Sequence, residues 1–289
     1  MKLTTAINDR FRFLASTFLL LPFRRCLPIS ACILLSFRSA LAADTLAHRA
    51  WTVDGVTREA LIYAPPLAQT HATPVIFAFH GHGGNMNQSA RGFNFQAHWP
   101  EAIVVYPQGL KTPGRLNDPE GKKNGWQHTT GAQADRDLKF FDAMLTSLTQ
   151  DYHVDKKRIY ATGFSNGGGF TFLLWLTRGD QFAALAPGGA AAATNAPEAA
   201  LVEKLLPKPV LLIDGEKDPL IKFEWQKQTI AALCQHNQCG PGQPQGEHGM
   251  LYPSKIGAPV MTYIHPGGHQ FPREATALVV KFFKEHAQP

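Results

Sequence analysis

The chain has 289 residues, with 28 lysines and arginines against 22 acids, a formal charge of +6. Most of that excess sits in residues 1–42, which carry six basic side chains and one acid; the remainder balances 22 basic against 21 acidic groups. So even a balance excludes nucleic acid or an anionic membrane as an electrostatic partner.

Residues 1–42 read as a secretory signal peptide. Basic residues precede an apolar run, Cys26 to Phe37, and the small-residue stretch Ser39-Ala40-Leu41-Ala42-Ala43 follows, with cleavage expected after Ala42 or Ala43. The run is well short of the ~20 apolar residues that span a bilayer, so no stable membrane anchor is expected once it is removed. The product is expected to be secreted or periplasmic. Residues 43–289 suit one catalytic domain, with no internal repeat, low-complexity tract or linker dividing them.

From Ala47, two alternating runs around Asp54-Gly55 predict a β-hairpin. Val75 to Phe79 and Ile103 to Tyr106 are continuous apolar runs, as strands buried on both faces require. Asp135 to Tyr152 has helical spacing, with Leu138, Phe141, Leu145 and Leu148 on one face. Ile159 to Thr162 is a strand that runs into Gly163-Phe164-Ser165-Asn166-Gly167 and then a helix-forming apolar stretch. Phe182 to Ala186, Val210 to Ile213 and Val260 to Ile264 are three further strands, and Ala275 to His286 is a closing helix. Strands alternating with helices predict an α/β fold with a mostly parallel sheet covered by helices on both faces.

Chemistry in such sheets gathers at the carboxyl ends of the strands. There the chain places Ser165, then an acidic loop from Asp214 to Pro219, then His265-Pro266-Gly267-Gly268-His269: serine, acid, histidine, in the order of the α/β-hydrolase triad. Ser165 is the expected nucleophile, on a strand–turn–helix elbow whose flanking glycines allow close backbone approach. His269 is the expected base, with His265 as rival; Asp218 is the expected acid, ahead of Asp214 and Glu216. Backbone N–H groups of Asn166 and His82 are the expected oxyanion donors, with Gly81 and Gly83 one register away. His80 and His82 have too few neighbouring ligands for a metal site. Trp126, Phe164, Trp225 and Phe271 flank these loops and are candidate pocket residues. Cys234 and Cys239, the two cysteines past the leader, are expected to pair as a disulfide in an exported protein.

Several of these blocks together resemble the secreted polyhydroxybutyrate depolymerase / feruloyl esterase family of α/β-hydrolases: His80-Gly81-His82-Gly83-Gly84-Asn85, Tyr106-Pro107-Gln108-Gly109, Gly125-Trp126, Asp135-Arg136-Asp137, Val154 through Gly168, and Gly267-Gly268-His269. The resemblance implies a cofactor-free serine esterase acting on polyesters, feruloylated or acetylated polysaccharide, or small esters, with Ser165, Asp218 and His269 as its triad. The acid loop departs from it in having Asp214-Gly215 where many relatives have His-Gly. A serine peptidase or thioesterase on the same fold, and a catalytically inactive binding protein, are the alternative readings.

Overall fold

A computed structural model describes residues 45–192 and 201–289. The expected signal peptide, residues 1–42, lies outside the described residues.

The hairpin forms as expected: β1 (Ala47–Val53) and β2 (Val56–Tyr63) pair antiparallel around Asp54 and Gly55, whose φ angles of 49° and 78° suit a tight two-residue turn. Next come β3 (Thr73–Phe79), α1 (Met86–Phe93), α2 (Phe95–His98), β4 (Ile103–Pro107), and a small ribbon of β5 (Leu110–Lys111) with β6 (Asn124–Gly125). The chain continues through α3 (Arg136–Asp151), β7 (Val154–Phe164), α4 (Asn166–Arg178), β8 (Ala184–Gly188) and β9 (Val210–Gly215). It ends with α5 (Phe223–His236), β10 (Gln243–Gln245), β11 (Gly249–Tyr252), β12 (Val260–His265) and α6 (Ala275–Lys284).

The main sheet runs β1-β2-β4-β3-β7-β8-β9-β12-β11-β10. Its centre, from β4 to β12, is parallel, and both edges are antiparallel. Every residue of β3 is buried, because its side chains alternate between two separate cores. Val75, Phe77 and Phe79 join Leu138, Phe141 and Phe170 of α3 and α4 on one face. Ile76 and Ala78 join Phe93, Val279 and Phe283 of α1 and α6 on the other. Sequence periodicity located this architecture. It missed the helices α1, α2 and α5, and also β10 and β11, since Gln243–Gln245 is exposed throughout and Gly249–Tyr252 lacks alternation; β11 forms by pairing with β12, and β10 by pairing with β11.

One charged pair is buried inside the fold. Arg58 of β2 donates from Nη2 to Asp137 Oδ1 of α3 at 2.8 Å, and its guanidinium lies over the Phe140 ring at 4.3 Å. Asp137 Oδ2 accepts from the backbone N–H of Gln127 at 2.8 Å, which ties the segment after β6 to α3.

Candidate active site

The turn between β7 and α4 leaves Ser165 at φ 59°, ψ −120°, a conformation a non-glycine residue holds only under constraint. The constraint is close packing. A Cβ on Gly163 would lie 2.4 Å from the Gly167 carbonyl oxygen, and one on Gly167 would lie 2.2 Å from that of Phe79. Only glycine permits β3, β7 and α4 to meet this tightly. The serine therefore stands at the first turn of α4, at the positive end of the helix.

His269 and Asp218 come together although 51 residues separate them: the His269 Nδ1 and Asp218 Oδ2 atoms are 2.6 Å apart. Asp218 is buried, and its other oxygen accepts from the N–H groups of Leu220 and Ile221 at 2.8 and 2.9 Å. These bonds hold the carboxylate toward the ring and leave Nε2 as the outward nitrogen. Ser165 and His269 line the same cavity, of about 470 Å³. The rivals lie elsewhere. His265 is buried at the end of β12, and its Nδ1 accepts from Gly267 N–H at 3.1 Å, a local turn contact. Asp214 is buried within β9, where desolvation and the neighbouring Asp218 hold its pKa well above the usual carboxylate range. Glu216 is exposed.

The loop after β3 brings Gly81 and His82 to the cavity wall. Gly83 N–H is committed to Asn124 O at 2.7 Å and Gly84 N–H to Gly81 O at 3.0 Å, so Gly83 is not an available donor. The imidazoles of this loop serve structure. His80 is buried, with Nε2 accepting from Gly109 N–H at 2.9 Å and Nδ1 2.8 Å from Gly81 O. His82 Nε2 lies 3.0 Å from Asp118 Oδ2. Burial lowers the His80 pKa to about 4 from an ordinary 6.5. As pH falls through 6.5 the unfolded chain binds that proton first, so stability complete above 6.5 is lost toward pH 4, by about 3 kcal/mol for this residue. Melting temperature should fall over that window, and less steeply in His80→Gln. An imidazole at position 80 that titrates near its ordinary pKa by NMR contradicts the prediction.

The four candidate aromatics separate. Phe164 and Trp225 line the cavity that holds Ser165. Trp126 does not: it is completely buried, stacked on Phe170 and edge-on to Phe79, with its indole N–H donating to His80 O at 2.8 Å. A large ring between α4 and β3 has more apolar contact there than at a pocket wall. Phe271 lines a different depression. Sequence reasoning missed Arg115, Leu116, Asn117, Lys123 and His128, which the loop around the β5–β6 ribbon carries to the cavity. It also missed the side chain of Asn166, which accepts from Trp126 N–H at 2.7 Å and donates to Trp126 O at 3.1 Å, clamping that ribbon to the elbow. Long-range hydrogen bonds of this kind leave no local signal.

The expected Cys234–Cys239 disulfide is a correction: both are free thiols. Cys239 N–H donates to Cys234 O at 2.8 Å as the chain leaves α5. Burial pushes the Cys234 thiol up to about 12, and the protonated thiol is a poor partner for exchange.

A parallel sheet covered on both faces, with a strained serine on the strand–helix elbow and a histidine–carboxylate pair on later strand ends, defines an α/β-hydrolase. The chain belongs to the dienelactone hydrolase family, whose profile matches residues 60–239. It is 29% identical over 210 residues to feruloyl esterase C of Emericella nidulans, covering 68% of this chain and 69% of that protein. To the probable feruloyl esterase C of Aspergillus niger it is 28% identical over 210 residues, with 68% and 69% covered. Among solved structures, acetyl xylan esterase from Aspergillus awamori superposes with a TM-score of 0.61 at 14% identity, covering 82% of this chain and 99% of that one; that likeness is one of fold.

Proposed function

We propose that this α/β-hydrolase is an exported serine carboxylesterase that works through an acyl-enzyme on Ser165. The observation that carries the reading is the 2.6 Å contact between Asp218 and His269, whose ring lines one cavity with a serine held at positive φ. In this mechanism Nε2 of His269 takes the Ser165 proton as Oγ attacks the ester carbonyl, and Asp218 stabilises the imidazolium that forms. The N–H groups of Asn166 and His82 receive the oxyanion. Collapse of the tetrahedral intermediate breaks the ester C–O bond, and the imidazolium protonates the departing alcohol. Water, deprotonated by the same ring, then attacks the acyl-enzyme; acid is released and Ser165 recovers its proton. Side chains alone complete the proton cycle, so the proposal needs no cofactor.

Similarity to feruloyl esterases supports a feruloyl ester as substrate, and the sequence resemblance adds acetylated polysaccharide and hydroxyalkanoate polyesters. A fluorophosphonate probe is expected to label Ser165, located by peptide mapping. A panel of methyl ferulate, acetylated xylan, hydroxybutyrate oligomers and p-nitrophenyl esters is expected to show turnover, with aminoacyl amides inert. Absence of labelling at Ser165, or amide turnover matching ester turnover, defeats the proposal. Export predicts a mature N-terminus at Ala43 or Asp44 in protein recovered outside the cytoplasm.

A further inference from the structure

A second depression adjoins the one that holds Ser165. This groove, of about 240 Å³, shares Gly81, His82 and Phe164 with the larger cavity and extends away from it to Phe271 and to Gly92 and Phe93 of α1. Phe164 is the ridge between them. Its ring lies 4.8 Å from that of His269 and 6.2 Å from that of Phe271, and Phe271 in turn packs edge-on to Phe93 at 4.8 Å. An apolar path therefore runs from His269 over Phe164 into the groove. The ridge is set by the backbone beneath it: Gly189 has φ +54°, and a Cβ there would lie 2.5 Å from the Phe164 ring. Polar side chains share the rest of the lining: His80, His82, Gln88 and Ser89. Ser89 of α1 is 5% exposed, and its buried Oγ has no hydrogen-bond partner among the described residues.

We infer that this groove is the subsite for the alcohol arm of an extended ester, taking an apolar or aryl group. The inference rests on Ser165 as nucleophile and His269 as its base. In that chemistry His269 must protonate the leaving oxygen, so the alcohol arm is the one that passes this ring. Phe164 and Phe271 continue the surface from there. The acyl arm is left with the larger cavity, whose walls include Leu116, Leu220 and Trp225. The site thus prefers a substrate with bulk on both sides of the scissile bond.

The test compares two ester series on the full chain. One varies the alcohol, methyl acetate against 3-phenylpropyl acetate; the other varies the acid, methyl acetate against methyl 4-phenylbutyrate. Two variants narrow or strip the groove. A Cβ on Gly92 meets no atom within 4 Å, so Gly92→Leu adds bulk to the groove lining with open space at its base and replaces a helical glycine with a better helix former. Phe271→Ala removes the end wall. In both variants the kcat/KM ratio of 3-phenylpropyl to methyl acetate is expected to fall about tenfold, while the ratio in the acyl series holds. An unchanged alcohol ratio overturns the inference, and so does a fall confined to the acyl series. Binding of 3-phenylpropan-1-ol to Ser165→Ala protein, followed by NMR, separates this from the catalytic reading. Binding that weakens on adding Gly92→Leu supports the groove even if Ser165 is not the nucleophile, and no binding overturns it even if Ser165 is.

Discussion

Ser165→Ala is expected to lower kcat for p-nitrophenyl acetate by about 10⁵- to 10⁶-fold, since removing the nucleophile of a triad costs as much as removing the whole triad. Stability should move little, because alanine occupies the same backbone conformation and Ser165 is only half-buried. Ser165→Gly should do something different. At φ 59°, ψ −120° a residue with a Cβ stores about 1–3 kcal/mol of strain, and glycine releases it. The glycine variant should therefore be as inactive as the alanine variant yet melt several degrees higher than either. Turnover by Ser165→Ala within a hundredfold of wild type would remove Ser165 from the chemistry. A glycine variant that melts lower would show instead that the serine side chain supports the turn.

Asp137→Ala is expected to destabilise the fold by about 3–5 kcal/mol, the usual cost of leaving a buried charge without its partner. The carboxylate is buried against an Arg58 that is itself 1% exposed, with Phe140 over the guanidinium. Such a loss should lower the melting temperature by roughly 10 °C. Replacing both partners by apolar residues, Arg58→Met with Asp137→Leu, should recover much of it, because no unpaired charge remains. The damage should also reach the cavity. Asp137 holds Gln127 N–H, and the adjoining Trp126 is the residue that the Asn166 side chain clamps. At temperatures where Asp137→Ala is still folded, KM should rise more than kcat falls, since the β5–β6 wall loosens while Ser165 stays on its strand. Equal stability of the single and double variants contradicts the argument.

Much of this protein was legible in local pattern. Continuous apolar runs at Val75 to Phe79 and Val210 to Ile213 implied strands buried on both faces, and alternating strands and helices implied the parallel sheet. Gly163 and Gly167 marked a turn too tight for any Cβ, which located Ser165 on it. Asp218 and His269 were read from their positions after strand ends, where the structure brings them to 2.6 Å. All of these are properties of a short stretch of chain, and backbone sterics and periodicity act over short stretches.

What the sequence could not determine lay in contacts between distant segments. Nothing local separates Trp126, packed in the core, from Trp225, on the cavity wall; which ring is covered depends on α4 and β3 meeting above position 126. Nothing local says that Asn166 holds the ribbon carrying Arg115 and Asn117, that Phe271 turns toward α1, or that the thiols of Cys234 and Cys239 stay unbridged. By itself the chain determined the serine on its strained turn and the scaffold that presents it, because these follow from strand, turn and helix chemistry within a few residues. The shape of the space around that serine was decided only in three dimensions, where packing and hydrogen bonds between elements tens of residues apart select one arrangement of loops that have no periodicity of their own.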